Sequence, residues 1–395
     1  MEVRELNLKK DEEIIEELKK VEVDDEAFKI LLPKFKLKVI KVSGISSPAL
    51  NILKQDALSC GADVAVPKWA VKCEKEKGNA IITGTEAQLK KLVEKLKNQP
   101  FKLKKLAEEI EKLLKKDKLK WKMRKRELEM NRTYICGILN VTPDSFYDGG
   151  KYFDVERAID RVYQMIEEGA DLIDIGGEST RPGAEPVTEK EELKRVMPVI
   201  EKLSGIDVPL SIDTYKSKVA KEALSAGCEI VNDISGLSFD EKMKEVIAEY
   251  KAGCIIMHIK GTPKDMQKNP HYEDTIEEII NYLREKIEIA EKEGIDIEKI
   301  AIDPGIGFGK RNPYDNLLIL KRLKEFKALS RPIFIGVSRK SFIGLCTGAK
   351  VEERLPGSIA AAAVAVMNGA NIIRTHDVKE TKQALKIVDE ILNVI

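Results

Sequence analysis

The chain has 395 residues, and its 68 Lys and Arg nearly balance its 67 Asp and Glu, which leaves a formal net charge of +1. This balance excludes a general attraction to nucleic acid or anionic lipid, so any anion site must be local. No run of 18 apolar residues predicts a membrane span and the N-terminal segment is too charged for a signal peptide, so we expect a cytoplasmic protein without nucleic-acid or membrane partners.

The length suits two domains, and residues 1–116 are predicted to form the smaller one, an α+β extension. Phe35, Leu37 and Val39 alternate with lysines, as the apolar residues of a half-exposed strand do. The six cysteines of the chain form no C-x-x-C pair, which favours reduced thiols over a structural metal. No catalytic constellation stands out in this region, and its role stays open.

Residues 117–130 are predicted to form a β-hairpin that closes the bottom of the following domain. The segment is rich in Lys and Arg, so a nucleic-acid patch is the alternative interpretation. However, Leu119, Trp121 and Met123 alternate with lysines as one apolar face of a strand, and such a face needs cover. The pattern therefore favours the hairpin.

Residues 131–395 alternate apolar strands with amphipathic helices. The predicted strands are 134–140, 172–177, 210–214, 230–234, 254–259, 300–305, 333–338 and 372–376. Eight strand-helix units over this length predict a closed (β/α)₈ TIM barrel, a fold that takes about 250 residues. An open doubly wound α/β sheet is the alternative, but no dinucleotide fingerprint follows the first strand.

Polar residues stand where these strands end, and the strand ends of a barrel converge on one mouth. Asp213 and Asp303 each follow apolar residues that still belong to a buried strand, where a carboxylate needs hydrogen bonds or a ligand. Arg374 and His376 share the last strand at a spacing of two, which points both side chains the same way and suggests an anion site. His258 has no second His or Cys at ligand spacing and is interpreted as structural.

With these residues in view, the sequence resembles the dihydropteroate synthases, the folate-pathway members of the pterin-binding barrel enzymes. The resemblance covers the barrel but not residues 1–116, and it rests on the stretches GILNVTPDSFYDGG, DIGGESTRPGA, SIDTYK, IVNDISG, MHIKGTP, IDPGIGFGK, SRKSFIG and IIRTHD. It implies a transfer of the pterinylmethyl group from 6-hydroxymethyl-7,8-dihydropterin diphosphate to an arylamine, with release of pyrophosphate.

The resemblance also implies roles for individual residues. The pterin would be bound by Asp213, Asn232, Asp303, Lys340 and Arg374. Asn140 would hold Mg²⁺ on the diphosphate, and Thr180, Arg181 and His376 would bind or flank that group. Asp148 would order the first loop, and the arylamine would be framed by Phe146, Pro182, Phe308 and Ser341. The residues expected to carry catalysis are Asn140, Asp148, Lys340, Arg374 and His376.

Several alternatives stay open at this point. The acceptor is p-aminobenzoate or an aminobenzene that bears a ribosyl phosphate, on the route to folate or to methanopterin. A pterin-dependent methyltransferase would share the barrel but would need no diphosphate site, and a non-catalytic pterin or phosphate binder would not need polar residues at every strand end. Apolar outer faces on the barrel helices make a homodimer reasonable.

Overall fold

The computed structural model describes residues 3–8, 10–115, 119–142, 151–181 and 183–394, and of residues 151–154 it describes the backbone alone. The chain divides into two compact units, one that ends at residue 117 and one that begins at residue 118. None of the helices in the described ranges combines the length and the apolar character that crossing a bilayer requires.

The first unit packs helices against a small antiparallel sheet. Its helices are α1 (Asp11–Lys20), α2 (Phe28–Phe35), α3 (Ser47–Ser59), α4 (Glu86–Leu96) and α5 (Leu103–Leu114), with a 3₁₀ turn at Asp25–Ala27. Its strands are β1 (Leu37–Ser46), β2 (Asp63–Ala65) and β3 (Lys77–Thr85), and β3 lies between the other two. Thr85 and Gln88 form a capping box at the start of α4, which satisfies two otherwise unpaired backbone N–H groups.

The apolar residues whose alternation predicted β1 do not form its buried face. Leu37 and Val39 point to solvent, 66% and 69% exposed, and Phe35 ends α2 instead of joining the strand. The inward face carries Ile40 and Val42, since these residues pack on the core of the unit. Alternation therefore predicted a strand correctly but could not tell which side a helix would cover.

The second unit begins with a hairpin of β4 (Lys120–Lys122) and β5 (Glu127–Glu129). Trp121 is fully buried among side chains of the barrel interior and donates from Nε1 to the carbonyl oxygen of Lys299 at 2.9 Å. Arg124 donates to the carbonyl oxygen of Leu224, near the end of a barrel helix, and Arg126 donates to two further carbonyl oxygens. The side chains of these two arginines thus complete hydrogen bonds inside the protein.

The rest of the unit is the predicted barrel. The strands are β6 (Tyr134–Asn140), β7 (Leu172–Gly176), β8 (Leu210–Asp213), β9 (Ile230–Asp233), β10 (Gly253–Met257), β11 (Ile300–Asp303), β12 (Phe334–Gly336) and β13 (Ile372–Thr375). The helices are α6 (Lys151–Glu167), α7 (Glu189–Lys202), α8 (Ser217–Ala226), α9 (Met243–Tyr250), α10 (Thr275–Lys292), α11 (Tyr314–Lys321), α12 (Ser341–Thr347), α13 (Leu355–Met367) and α14 (Val378–Asn393). Further 3₁₀ turns lie at Ile297–Lys299, Leu323–Leu329 and Val351–Glu353.

Within the described residues the eight strands run parallel in one sheet, in which β13 pairs with β6. A bridge between Ile302 and Ile333 connects β11 to the segment that leads into β12 and closes the barrel. The predicted fold class, a TIM barrel after a small α+β unit, is therefore confirmed.

Apolar side chains fill the bottom of the barrel interior and polar side chains its mouth. Cys136, Leu172, Ile255 and Phe334 pack with Trp121 of the hairpin at the bottom. Side chains that lie two residues further along each strand also point into the barrel. They form the next layers of the interior, which lie closer to the mouth. This alternation brings the polar ends of distant strands together.

Candidate active site

The centre of the mouth is a charge cluster around Arg374 on β13. Its Nε donates to Asp174 Oδ2 at 2.6 Å, and its Nη2 donates to Asp213 Oδ2 at 2.7 Å. Asn232 on β9 donates from Nδ2 to the same oxygen of Asp174 at 2.9 Å. The guanidinium on β13 thus bonds to side chains on β7 and β8, across the intervening β6, which fixes its plane across the mouth.

The cluster has more acceptors than donors. Two buried oxygens, Asp174 Oδ1 and Asp213 Oδ1, have no hydrogen-bond partner in the part of the chain that the structure describes. Burial and the charge of Asp174 raise the pKa of Asp213 to about 7 against the opposing effect of Arg374. The two carboxylates in turn raise the pKa of Arg374, although burial opposes this. Such a site is suited to a ligand edge that presents hydrogen-bond donors.

The sixth strand of the barrel delivers Asp303 into a tight loop. Asp303 Oδ1 accepts from the backbone N–H of Gly305 at 2.7 Å, and burial raises the pKa of this carboxyl. Gly305 has a φ of +74°, and a Cβ added there would lie 1.9 Å from the carbonyl oxygen of His258. The loop can therefore pass this close to β10 only with glycine at position 305.

Lys340 approaches Asp303 from the end of β12. Its Nζ donates to the carbonyl oxygen of Ile306 and lies 4.9 Å from the ring centroid of Phe308. Burial lowers the pKa of Lys340 to about 8, against the charge of Asp303. A cation, a carboxylate and an aromatic ring thus stand together on one side of the mouth.

Behind this loop lies a buried pair of basic residues. Lys310 is fully buried, and its Nζ lies 2.9 Å from Nδ1 of His258 and 2.8 Å from the carbonyl oxygen of Phe308. Burial lowers the pKa of Lys310 to about 7 and the pKa of His258 well below its usual range. His258 is therefore a hydrogen-bonded core residue, as its sequence context indicated.

On the other side of the mouth, Asn140 at the end of β6 meets His376 after β13. Asn140 Nδ2 lies 3.5 Å from His376 Nε2, and Ser338 Oγ lies 3.1 Å from His376 Nδ1. Burial, with the charges of Arg374 and Arg181 among the causes, lowers the pKa of His376 to about 4. The imidazole is thus neutral at physiological pH.

The second loop follows β7 and carries Thr180, which is half-buried, and Arg181, which is exposed. The start of this loop is held in place by Glu178, which accepts hydrogen bonds from Tyr215 Oη at 2.6 Å and from Lys216 Nζ. The charge of Arg181 contributes to the low pKa of His376, so the two side chains act on the same region. This arrangement favours an anion between the second loop and the last strand.

Two more of the predicted residues lie at or beside the sixth loop of the barrel. Ser341 is exposed at the start of α12 and accepts from Asn312 Nδ2 at 2.7 Å, and Phe308 is half-buried at the sixth loop. Phe146, Asp148 and Pro182 lie outside the described residues. The described candidates therefore gather around one mouth.

The side chains of the mouth also indicate how Mg²⁺ could be bound. Within the described ranges no cluster of three or more His, Cys, Asp or Glu could hold a metal ion by itself. The amide oxygen of Asn140 lies 3.8 Å from the position that a Cβ would take at Gly176, and Asp213 Oδ2 lies 3.7 Å from the same position. One amide oxygen fits Mg²⁺, which keeps several waters and otherwise binds through phosphate oxygens.

Sequence reasoning missed Asp174 and Lys310. Asp174 lies between Ile173 and Ile175 in a buried strand, and the argument applied to Asp213 and Asp303 would have selected it. Lys310 ends a glycine-rich loop, and no local signal marks it as buried.

Comparisons with known proteins agree with this geometry. Residues 136–376 match the family described as pterin binding enzyme. Over 263 residues the chain is 47% identical to the dihydropteroate synthase of Clostridium beijerinckii, which covers 66% of this chain and 95% of the relative. The structure of the Xanthomonas albilineans dihydropteroate synthase with 4-aminobenzoic acid superposes with a TM-score of 0.66 at 41% identity and covers 71% of this chain and all of that one.

A third relative extends beyond the barrel. The probable bifunctional folylpolyglutamate synthase/dihydropteroate synthase of Haloferax volcanii is 37% identical over 358 residues, which cover 85% of this chain and 41% of the relative. This share exceeds what residues 118–394 alone can supply, so the match reaches into the first unit. With a family match over more than half of its length and a relative at 47% identity, the chain belongs to the pterin-binding enzyme family, among the dihydropteroate synthases.

Proposed function

We propose that the barrel condenses 6-hydroxymethyl-7,8-dihydropterin diphosphate with p-aminobenzoate. The arylamine nitrogen forms a bond to the methylene carbon of the pterin, and the bond from that carbon to the diphosphate oxygen breaks. The electron pair leaves with the diphosphate, and the nitrogen loses one proton to solvent. The products are 7,8-dihydropteroate and pyrophosphate.

The observation that carries this proposal is the surplus of acceptors around Arg374. The amide and aminopyrimidine edge of a pterin presents several N–H donors, and Asp174 Oδ1 and Asp213 Oδ1 are buried acceptors without a partner among the described residues. Asn232 and Lys340 add an amide and a cation at the same mouth. A buried, unpaired acceptor costs about 1–3 kcal/mol, so a matching donor edge gains that energy on binding.

Catalysis then depends on the leaving group. Departure of diphosphate makes the methylene carbon cationic, so the weakly nucleophilic arylamine needs no strong base. Arg181, Arg374 and Asn140 are proposed to hold the diphosphate; the charges of both arginines act on His376, which lies beside Asn140. Mg²⁺ bound to Asn140 Oδ1 would supply further charge neutralisation. Charge placed at the leaving oxygens stabilises the transition state more than the bound substrate.

The arylamine is proposed to lie beside Phe308 and Ser341. The ring of Phe308 is half-buried under Lys340, and the hydroxyl of Ser341 is exposed at the rim of the mouth. The presence of 4-aminobenzoic acid in the Xanthomonas albilineans enzyme supports p-aminobenzoate as the acceptor. A ribosyl-phosphate aminobenzene, on a route to methanopterin, is the alternative acceptor.

The test is release of pyrophosphate when the chain is mixed with the pterin diphosphate and each acceptor in turn. We expect turnover with p-aminobenzoate in the presence of Mg²⁺ and a large loss in Asp213→Asn. Faster turnover with the ribosyl-phosphate compound would reassign the acceptor. If the chain binds the pterin but releases no pyrophosphate with either compound, it is a pterin-binding protein without this activity.

We also propose a cytoplasmic location, which the six free cysteines support because such thiols persist in a reducing compartment. The homodimer stays a prediction as well. Leu317 on α11 and Val364 and Met367 on α13 are apolar and 44–54% exposed. Sedimentation of the full chain would decide between monomer and dimer.

A further inference from the structure

A buried charge network lies at the base of the second barrel loop. Lys216, which follows β8, forms ion pairs with Glu178 at the start of this loop and with Glu192 in α7. The side chains of Lys216, Glu178 and Glu192 are 12%, 6% and 1% exposed, respectively. Within the described residues no other cation pairs with either glutamate. We call these three residues the Lys216 network.

Glu178 connects the two ends of the second loop. Its Oε2 accepts from Lys216 Nζ and, at 3.4 Å, from the backbone N–H of Val187 at the far end of the loop. Thr180 and Arg181 lie between these two ends. The carboxylate of Glu178 therefore holds the segment that carries both side chains.

Helix α7 lies directly against the start of this loop. A Cβ at Gly177 would lie 2.8 Å from Val196 Cγ1 and 3.0 Å from Glu192 Cγ. The carbonyl oxygen of Gly177 also accepts from Arg195 Nη1 at 2.9 Å. Glycine at position 177 thus allows the close approach that brings Glu192 to the same cation as Glu178.

This arrangement depends on the charge of Lys216. Two carboxylates that are almost fully buried repel each other unless a cation lies between them. Glu192 Oε1 is buried and has no hydrogen-bond partner among the described residues, so this carboxylate relies on the bond of its Oε2 to Lys216. Without the cation, Glu178, the more exposed of the two, would turn toward water and lose its bond to Val187.

We propose that Lys216 is a positioning residue for the second loop. It holds Glu178 against α7 and thereby places Thr180 and Arg181 at the mouth. The inference rests on the proposed function, in which Arg181 holds the diphosphate and the second loop flanks both substrates. Lys216 acts through Glu178 and takes no part in the chemical step itself.

Two substitutions of Lys216 test this role. Lys216→Met removes the charge and keeps most of the length of the side chain, whereas Lys216→Arg keeps a cation. In Lys216→Met the Kd of inorganic pyrophosphate and the KM of p-aminobenzoate should each rise about tenfold, because a small misplacement of binding groups is costly. The Kd of 6-hydroxymethyl-7,8-dihydropterin, which lacks the diphosphate, should not change. Lys216→Arg should recover most of both losses.

Tyr215→Phe is the matched control, because it removes one hydrogen bond to Glu178 and leaves both ion pairs of Lys216. It should raise the two constants much less than Lys216→Met does. If Lys216→Met does not fold, Glu178→Gln takes its place, since the amide keeps the shape of the side chain but loses the ion pair, and the same constants should rise. Equal weakening of pterin and pyrophosphate binding would overturn the proposal, because it indicates a general loss of structure at the mouth. Unchanged constants in a folded variant would also refute it.

The positioning role and the proposed function can fail separately. Hydrogen exchange at the backbone N–H of Val187 reports the loop without any turnover. Faster exchange there in Lys216→Met, together with weaker pyrophosphate binding, would support the positioning role even if the chain forms no dihydropteroate. Unchanged exchange and unchanged KM in an active Lys216→Met would refute the positioning role and leave the proposed reaction intact.

Discussion

Arg374 and Asp213 are separated by 161 positions in the chain, yet their side chains meet at 2.7 Å. The same guanidinium also holds Asp174, so two carboxylates share one cation at the centre of the mouth. Because two carboxylates face one guanidinium, negative charge and unpaired oxygens remain for a ligand to bind.

Asp213→Asn should weaken binding of the pterin diphosphate by about 1.5–3 kcal/mol, because an acceptor-only group is replaced by one that also presents a donor. The pKa of Asp213 is raised to about 7, so its acceptor form is lost as the pH falls below that value. Pterin affinity, measured by calorimetry, should rise with pH through 7 in the normal chain. In Asp213→Asn this rise in affinity should be absent. An equal rise in both chains would show that Asp213 does not bind the pterin.

Asn140→Ala and removal of Mg²⁺ should lower turnover through one contact. Chelation should suppress pyrophosphate release in the normal chain but add little further loss in Asn140→Ala, because coupled changes are not additive. Steady-state rates with and without chelator in both chains give the comparison. Losses that simply multiply, or full turnover without a divalent metal, would contradict the metal role of Asn140.

Lys310→Met should change how stability depends on pH. The pKa of Lys310 falls from 10.5 to about 7 on folding, so between these values the unfolded chain binds more protons. This residue therefore makes the normal chain more stable as the pH rises from about 7 to 10, and Lys310→Met lacks that contribution. Denaturant unfolding at several pH values measures the difference, and the exposed Lys324→Met is the control. Parallel curves for Lys310→Met and the normal chain would show that Lys310 is charged in the folded state.

Gly305→Ala should destabilise the barrel by more than about 1–3 kcal/mol, since the new Cβ would lie 1.9 Å from a carbonyl oxygen. Gly294 also has a positive φ, +88°, but no atom lies within 4 Å of its Cβ position. Gly294→Ala should therefore show the cost of the backbone conformation alone, about 1–2 kcal/mol. Thermal melts of both variants separate the two effects, and equal losses would mean that the contact with His258 relaxes easily.

Removal of residues 1–115 should leave a folded and active barrel. The buried side chains of the first unit cluster among themselves, and those of the barrel and hairpin form separate clusters. Circular dichroism and pyrophosphate release from the shortened chain test this expectation. A folded barrel without activity would show that the first unit contributes to the site.

The sequence was sufficient to predict the strands and most of the mouth, because strand ends carry polar residues and a barrel brings those ends together. It did not predict the pairing of Asp174 with Arg374, since an ion pair between residues 200 positions apart has no local pattern. The exposed face of β1 was misjudged for a related reason. Alternation shows that a strand has two faces, but only the packing of helices decides which one is buried.

The pairing of β13 with β6 also has a consequence for synthesis of the protein on the ribosome. Arg374 takes its place beside Cys136 only after the 238 positions that separate the two residues have been made. Until then Asp174 and Asp213 lack the cation that neutralises them, and the barrel sheet cannot close. The first unit, whose core is complete by residue 114, can fold early, while the barrel must wait for its last strand. A chain that stops before residue 372 should therefore bind chaperones or be degraded instead of yielding a partly active enzyme.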